Sequence, residues 1–464
     1  MDESGYVLHE HLNSHGSAVV AIQTTLGTNA GTSVLKDFTA GEFAVARNAG
    51  GTLRDTITFG TFNNAVLGTP TVSGGTFNAG VLGTPAITGG TYTSPVLAGT
   101  PVLDGTSAIP FYNDSMARQA IINGNFDVWQ RGVTNTYTTD IYTYQADRWI
   151  FGATKDSGTL PTIVVSRQAI TPGEINNSFY HFRGNVDGAG SGLGNSSECM
   201  IDQKIEYGTR FLCGDSKKVT TSFYARSSIA NKKLGVYLIQ SYGTGGTPTS
   251  AENITGTNWT LTSSWTKYTA TFTTNTLASK TFGTVNDDYL LTRFYLQWGS
   301  SNASKVGAAG AETYVGSGNI DIAQVQLCAG SIALPFQPKN YGQELESCQR
   351  YYQKYGGSNT YDAYAVGGYS AGTISYNLIN FVTTMRTKPT LTTSGTAANY
   401  CLFAYQTSAD ITLSAAPSIS LTQMVNNQSA LLLSEVATGG TAGQATLLRN
   451  NNTADGFLAF SADL

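Results

Sequence analysis

Tyr289–Trp298 reads YLLTRFYLQW, and its side chains alternate in kind. Phe294, Leu296 and Trp298 occupy every second position, with Arg293, Tyr295 and Gln297 between them. A period of two belongs to a half-buried strand, because successive side chains of an extended chain point to opposite faces. The same alternation runs through VTTSFYARSS (219–228), where Phe223 and Ala225 oppose Tyr224 and Arg226. It recurs in KLGVYLIQSY (233–242), where Val236 and Leu238 oppose Tyr237 and Ile239. LTSSWTKYTATFT (261–273) and NIDIAQVQL (319–327) supply two more strands. Together they predict an antiparallel β-sandwich with one apolar face turned to the core. The other face gathers Tyr224, Arg226, Tyr237, Arg293, Tyr295 and Gln297. Flat rings beside planar amide and guanidinium groups suit the C–H face and hydroxyls of a sugar, so these six are the candidate ligand-binding residues. A face that is merely solvated, or packed against a neighbouring protomer, would use the same residue types.

The composition agrees with a mainly β chain. Charged residues make up 12% of the 464 residues, about half the usual ~25%, and 52 glycines with many Thr, Ser and Asn take their place. Aromatic content of 11% is too high for a disordered chain. A formal net charge of -4 without a basic cluster removes the electrostatic term on which nucleic-acid binding rests. No apolar run reaches the roughly 18 residues of a membrane helix, so no membrane insertion is expected. The start MDESGYVLHEHLN lacks the basic and apolar regions of a secretory signal, which predicts a protein made without export. The five cysteines form no CxxC pair, and free thiols are expected.

Ahead of the sandwich stands a repeat. Residues 61–75 read TFNNAVLGTPTVSGG, 76–90 read TFNAGVLGTPAITGG, and 91–105 read TYTSPVLAGTPVLDG with one residue slipped. Each copy has an aromatic, a Val-Leu pair and a turn marked by Gly, Thr and Pro. So few apolar side chains cannot offset the entropy of ordering a copy alone, so copies must stack or wind with other chains. Side-by-side chains forming a trimeric β-shaft are expected, in preference to a one-chain solenoid or a structured linker. At the N-terminus Leu8, Leu12, His15, Val19, Ile22 and Leu26 are spaced 4, 3, 4, 3 and 4, a short coiled-coil seam that also needs partner helices. His9, His11 and His15 lie there, where threefold symmetry could gather them around a metal, but without Cys or carboxylate partners beside them ordinary surface and seam histidines are the favoured reading.

Several stretches resemble tail fibres of tailed phages. LHEHLNSHGSAVVAIQTTLGTN (8–29) is similar to an N-terminal segment of tailed-phage structural proteins. IINGNFDVWQRG (121–132) followed by QADRW (145–149) resembles the start of a tail-fibre β-sandwich, itself similar to jelly-roll carbohydrate-binding modules. LCAGSIALPFQPKNYGQELESCQRYYQKY (327–355), FVTTMRTKPTLTT (381–393) and the terminal GFLAFSADL resemble tail-fibre segments as well. The likeness implies a homotrimer attached by its N-terminus to a phage tail or baseplate protein, assembled in the host cytoplasm and carried on the virion. It implies a host polysaccharide or lipopolysaccharide as receptor. In the jelly-roll modules, an acidic residue after the first-strand Phe and an Asp in the last strand help hold a structural calcium. The matching positions are Asp127 and Asp321, and carboxylate oxygens suit Ca²⁺.

The expected organisation is therefore a mainly β trimeric fibre. Its parts are an N-terminal segment with a short coiled coil (1–55), a repetitive β-shaft (56–114), a jelly-roll β-sandwich (115–340), a short helix (341–355) and a C-terminal β-sandwich tip (356–464). The helix is read from the 4, 3, 4, 3 spacing of Tyr341, Leu345, Cys348, Tyr352 and Tyr355, with Glu346 and Arg350 pairing at i, i+4. Tip strands are expected at 373–383, 390–393, 398–405, 418–424 and 429–435. No catalytic constellation is visible. His181 is the single histidine beyond the N-terminal seam, and Asp287 and Asp288, adjacent in sequence, cannot flank one bond from the same strand face. Adhesion without catalysis is the expected function, with a glycan-degrading tail spike and a bacterial surface adhesin as alternatives. The tip lies farthest along the chain from the attachment end, so removing 356–464 is expected to abolish adsorption and leave the assembly intact.

Overall fold

The structure, a computed structural model, describes residues 115–464 apart from 407, 420, 422 and 423, preceded by two paired short strands, β1 (Val102–Leu103) and β2 (Ser107–Ala108). The expected coiled coil, His9, His11 and His15, and all of the shaft except those two strands lie outside the described residues. The described chain is mainly β.

After a one-turn helix α1 (Ser115–Arg118) come β3 (Thr134–Tyr137), β4 (Ile141–Tyr144), β5 (Ile150–Thr154), β6 (Ile163–Ala169), β7 (Tyr180–Val186) and β8 (Glu198–Glu206). The short helix α2 (Gly208–Leu212) leads to β9 (Lys218–Ser227), β10 (Lys233–Ser241), β11 (Glu252–Thr260), β12 (Thr266–Thr273), β13 (Tyr289–Trp298) and β14 (Gly318–Ala329). They form two six-stranded antiparallel sheets in the orders β11-β10-β13-β8-β5-β4 and β12-β9-β14-β7-β6-β3. The alternation seen in the sequence holds as far as Leu296; a register shift between Tyr295 and Gln297 then turns Trp298 away from the expected core face to pack with Tyr237 and Tyr295. Val236, Leu238, Phe294 and Leu296 from one sheet meet Phe223, Ala225 and Phe182 from the other in a shared core. Its rings pack edge to face, with Phe223 and Phe294 at 5.0 Å and Trp149 and Phe294 at 6.0 Å between centroids.

The NGNFDVW and ADRW stretches travel together for a physical reason. Asn123, at φ 58°, donates through Nδ2 to the carbonyls of Val128 at 2.9 Å and Asp147 at 3.0 Å, and its own carbonyl accepts from Trp149 Nε1 at 3.0 Å. Asp147 in turn accepts from the Gln130 backbone N–H at 2.7 Å. The two segments are thus one knot that closes an end of the core.

The helix is shorter than expected. α3 (Tyr341–Gln349) starts at an Asn340 capping box with Gln343, and the chain then leaves the helix. Tyr352 and Tyr355 belong instead to β15 (Tyr352–Gly356), because the C-terminal strand β23 (Phe457–Ser461) offers a full ladder of backbone bonds over those residues. Arg350 does not pair with Glu346 but with the buried Glu206 of β8 at 2.9 Å, a carboxylate that Tyr351 also reaches at 2.6 Å.

The tip comprises β16 (Ala363–Ala371), β17 (Ile374–Asn380), β18 (Thr390–Thr393), β19 (Tyr400–Ala404), β20 (Ala409–Thr412), β21 (Ser429–Glu435), β22 (Ala445–Asn450) and β23. Its six-stranded sheet runs β20-β19-β22-β16-β17-β21 and faces a three-stranded sheet β15-β23-β18 across a core that includes Leu402, Leu432, Leu448 and Phe460. Of the strand expected at 418–424, residues 420, 422 and 423 lie outside the described ones, and Ser418 contributes a bridge to Leu433. Sandwich and tip are not separate bodies, since the described residues from 115 on fall in one compact unit. The chain end seals them together. Asp463 pairs with Arg131 and with Arg148 at 3.6 Å, and the Leu464 carbonyl accepts from Tyr144 at 2.9 Å and Lys204 at 2.8 Å.

Candidate functional site

The six residues expected to form one sugar-binding face are divided by the fold. A sandwich has two outer faces, and β9 lies in one sheet while β10 and β13 lie in the other. Tyr237, Arg293 and Tyr295 do come together, on neighbouring strands. Arg293 is directly across the ladder from Tyr237 on one side and Asp202 on the other. Its guanidinium grips Asp202 with two bonds of 2.8 and 2.6 Å, the Tyr237 and Tyr295 hydroxyls meet at 3.2 Å, and Tyr295 donates to Glu198 at 2.5 Å. This is a satisfied internal network and not an open face. The 3-10 turn Ser300–Val306 lays Ala303 and Val306 over the two rings, so Tyr237 and Tyr295 are buried, and Gln297 is buried as well. The expectation of a ligand face there is corrected by that cover.

On the opposite sheet, Tyr224 and Arg226 are half-buried, and Arg226 is already committed. Asp321 on β14 stands between Arg183 of β7 and Arg226 of β9 in the strand register. Arg183 reaches both its oxygens at 2.7 and 2.8 Å, Arg226 reaches one at 2.9 Å, and His181 Nε2 lies 3.4 Å away. Burial alone would raise the Asp321 pKa, but the hydrogen bonds from Arg183 and Arg226, with His181 beside them, outweigh it and hold the carboxyl well below its usual range. The Arg226 guanidinium also stacks 4.5 Å over Trp265.

That arrangement does not fit a calcium ion. A cation at Asp321 would have to displace two guanidinium groups, and the groups around Asp127 are a different set: Glu344, Arg167 and Asn125. Burial first, then the nearby Glu344 charge, pushes Asp127 up to about 6. Among the described residues, no group of three or more His, Cys, Asp or Glu side chains is placed to hold a metal. Asp287 and Asp288 hold loops. Asp287 accepts from the Thr244 backbone N–H at 2.6 Å, while the buried Asp288 pairs with Arg210 at 2.8 Å.

A cluster with the chemistry first sought on the sandwich lies on the tip. Arg449 of β22 is clamped by Asp410 of β20 at 2.8 Å to each carboxylate oxygen. Its guanidinium sits 4.7 Å from the ring centres of both Tyr361 and Phe403, and Phe403 meets Tyr405 edge to face at 5.2 Å. Tyr361 and Tyr405 are 42% and 54% exposed, so both rings offer surface to a ligand beside a fixed donor and a fixed acceptor. No local pattern announces this group. The pairing of β19 with both β20 and β22 assembles residues from 361 to 449. The alternation of Phe403 and Tyr405 against Leu402 and Ala404 is the one signal the sequence carried.

No protein-family model matches the chain, and no curated protein matches it in sequence. Solved structures similar to part of it include a proposed sugar-binding protein from Bacteroides thetaiotaomicron, at 12% identity over 46% of this chain and 100% of that one, with a TM-score of 0.28. The N-terminal cellulose-binding domain of Cellulomonas fimi β-1,4-glucanase C is 13% identical over 45% of this chain and 95% of its own, with a TM-score of 0.24. A family 11 carbohydrate-binding module from Clostridium thermocellum, solved with a mixed-linked tetrasaccharide, is 13% identical over 44% and 99%, with a TM-score of 0.22. At these TM-scores the likeness assigns neither ligand nor site residue to this chain. No helix among the described residues is long and apolar enough to cross a membrane.

Proposed function

We propose that this chain is a non-enzymatic phage tail-fibre protein that binds a host-surface glycan, polysaccharide or lipopolysaccharide, at the Arg449 corner of its tip sheet. The observation that carries the glycan reading is the Arg449 guanidinium held between two rings by Asp410, next to the exposed Tyr405. Aromatic faces stack on sugar C–H groups, while a fixed guanidinium and carboxylate answer hydroxyls. The fibre reading rests on the sequence: the N-terminal seam, the 15-residue repeats and the tail-fibre motifs. A homotrimer joined to a tail or baseplate protein, assembled in the host cytoplasm and carried on the virion, belongs to the same reading. Single sugar sites often bind near ~1 mM, about 4 kcal/mol, and several copies on one fibre raise that to a useful avidity.

Retention of the full-length chain on immobilised host polysaccharide tests the site. Arg449→Ala and Tyr405→Ala are each expected to weaken retention about tenfold, equivalent to about 1.4 kcal/mol, and Tyr405→Ala, which breaks no ion pair, is expected to leave thermal stability unchanged. Full retention by both variants overturns the site. Release of reducing ends from the polysaccharide by the purified chain overturns the non-enzymatic reading.

A further inference from the structure

The charges at the Arg449 corner are already engaged with one another, and that limits what can bind there. In the strand register Asp410 stands opposite Phe403 and Arg449 opposite Cys401, and Cys401 and Phe403 are two apart on β19. Carboxylate, guanidinium and ring therefore share the outer face of the sheet. Arg449 donates to Asp410 Oδ1 from Nε at 3.1 Å, and from Nη2 at 2.8 Å to each oxygen. The Cys401 thiol adds a third donor to Oδ1 at 3.3 Å, whereas Oδ2 is engaged through Nη2 alone among the described residues. With 29% of its side chain exposed, Asp410 keeps acceptor capacity on Oδ2 that a ligand can reach. A second carboxylate stands close by. Asp362 follows Tyr361 in the chain, and its carbonyl accepts from the Asn450 backbone N–H at 2.9 Å, next to Arg449. Its carboxyl accepts from the backbone N–H groups of Asn359 at 3.0 Å and Ser358 at 3.3 Å, which hold it below the ordinary value. Arg449, Asp410 and Asp362 thus give the corner two negative charges to one positive.

We infer that the corner selects neutral sugars and rejects acidic ones, such as uronic acids, with Asp410 as the residue that sets the preference. The inference rests on the glycan reading of this site given above. An arginine captures a sugar carboxylate by offering two parallel N–H bonds from one edge of its fork. The Nε–Nη2 edge of Arg449 already faces Asp410, so the place a sugar carboxylate would take is filled from within the chain. An acidic sugar would have to displace Asp410 or lie beside it. Two ionised carboxylates are acceptors only, with no proton to share between them, and at contact distance their like charges repel. A hydroxyl meets no such barrier. It donates to Oδ2 while the sugar ring lies on Tyr405 or Tyr361, both exposed. Discrimination between related ligands often comes from a repulsive element placed against the wrong one, and the clamp supplies it with the same carboxylate that accepts from the right one.

The test uses host polysaccharide immobilised in two forms, untreated and after oxidation of its primary alcohols to carboxylates, with the full-length chain passed over both. The wild type is expected to be retained about tenfold more weakly on the oxidised form. Asp410→Asn is expected to narrow that gap about threefold, since it removes the charge and keeps an acceptor. Raising NaCl from about 0.05 M to about 0.5 M should narrow it for the wild type as well, a readout that needs no variant to fold. Equal retention of the wild type on both forms, with Tyr405→Ala still weakening each, leaves the site standing and overturns the selectivity. A gap that neither Asp410→Asn nor salt narrows arises from the lost hydroxyls and overturns the role of Asp410. Absence of retention on either form overturns the glycan reading and this inference with it.

Discussion

Asp321→Asn separates an arginine-clamped carboxylate from a calcium ligand. In the structure a single buried carboxylate neutralises Arg183 and Arg226 through three short hydrogen bonds, with His181 behind it. Removing one partner of a buried pair costs about 3–5 kcal/mol, chiefly because the other charge is left uncompensated. Arg183 and Arg226 keep 25% and 23% of their side-chain surface in water and can rehydrate, which places this variant at the lower end, about 3 kcal/mol. At roughly 2 °C per kcal/mol for a unit of this size, Tm is expected to fall by about 6 °C. Chelation of the wild type with EDTA is expected to leave Tm within about 1 °C, because arginine and not a metal occupies the carboxylate. A folded pKa held below the ordinary value gives stability that is present above pH ~4 and is lost as pH falls toward the folded pKa, so the variant's deficit should shrink in strong acid. Differential scanning calorimetry with and without calcium reads all three quantities. A wild-type Tm that rises with calcium, by an amount Asp321→Asn abolishes, would refute the reasoning.

Asp127 should behave in the opposite sense. With a folded pKa raised to about 6, it keeps a proton between pH ~4 and ~6 that the unfolded chain has lost, so stability falls as pH rises through that window. Asp127→Asn is expected to flatten this slope and to be more stable at pH 7 by about 1–2 kcal/mol, discounted from ~1.36 kcal/mol per pKa unit for partial exposure, as urea melts across that range would show. Asp463→Asn removes a carboxylate shared by Arg131 and the buried Arg148, at an expected cost of about 3 kcal/mol. Hydrogen exchange should then quicken in β15 and β23 and also around 145–149; faster exchange in the strands alone would mean the chain end does not couple the two sheets.

The sandwich strands β9, β10, β12, β13 and β14 were legible from a period of two, as in YLLTRFYLQW and VTTSFYARSS, whereas β11 was not. Which outer face each residue joins was not, because alternation separates core from surface within a strand and says nothing about which sheet the strand enters. Tyr224 and Tyr295 look alike in sequence and end on opposite sides of the molecule. Burial of Tyr237 and Tyr295 depends on Ser300–Val306 folding back over them, a tertiary event with no local mark. The helix to Tyr355 failed because Tyr352 and Tyr355 keep a helical spacing and a strand-compatible chemistry at once, and β23, over a hundred residues away, decides between them. In the tip, β16 was missed because its glycines, Gly367 and Gly368, lower strand propensity. At Gly367 a Cβ would lie 1.9 Å from the Tyr376 carbonyl oxygen, so the close approach of β17 requires the glycine.

That dependence on distant pairing also changes what a truncation can show. Cutting at Gly356 was expected to remove a detachable tip, yet β15 begins at Tyr352 and pairs with β23, so the cut splits a sheet. It would also strip Asp463 from Arg148, whose guanidinium is buried 3.5 Å over Tyr351, and Leu464 from Lys204. A buried arginine left without its carboxylate costs about 3 kcal/mol or more, enough to disturb the sandwich itself. Loss of adsorption in such a fragment would report misfolding and receptor loss together. The exposed rings of Tyr361 and Tyr405 carry no such debt, because neither holds a buried charge, and replacing them changes the surface while leaving the seam at Asp463 intact. If the receptor site is at the tip, point changes there abolish adsorption in a chain that still melts at the wild-type temperature, a combination that no deletion of this chain can produce.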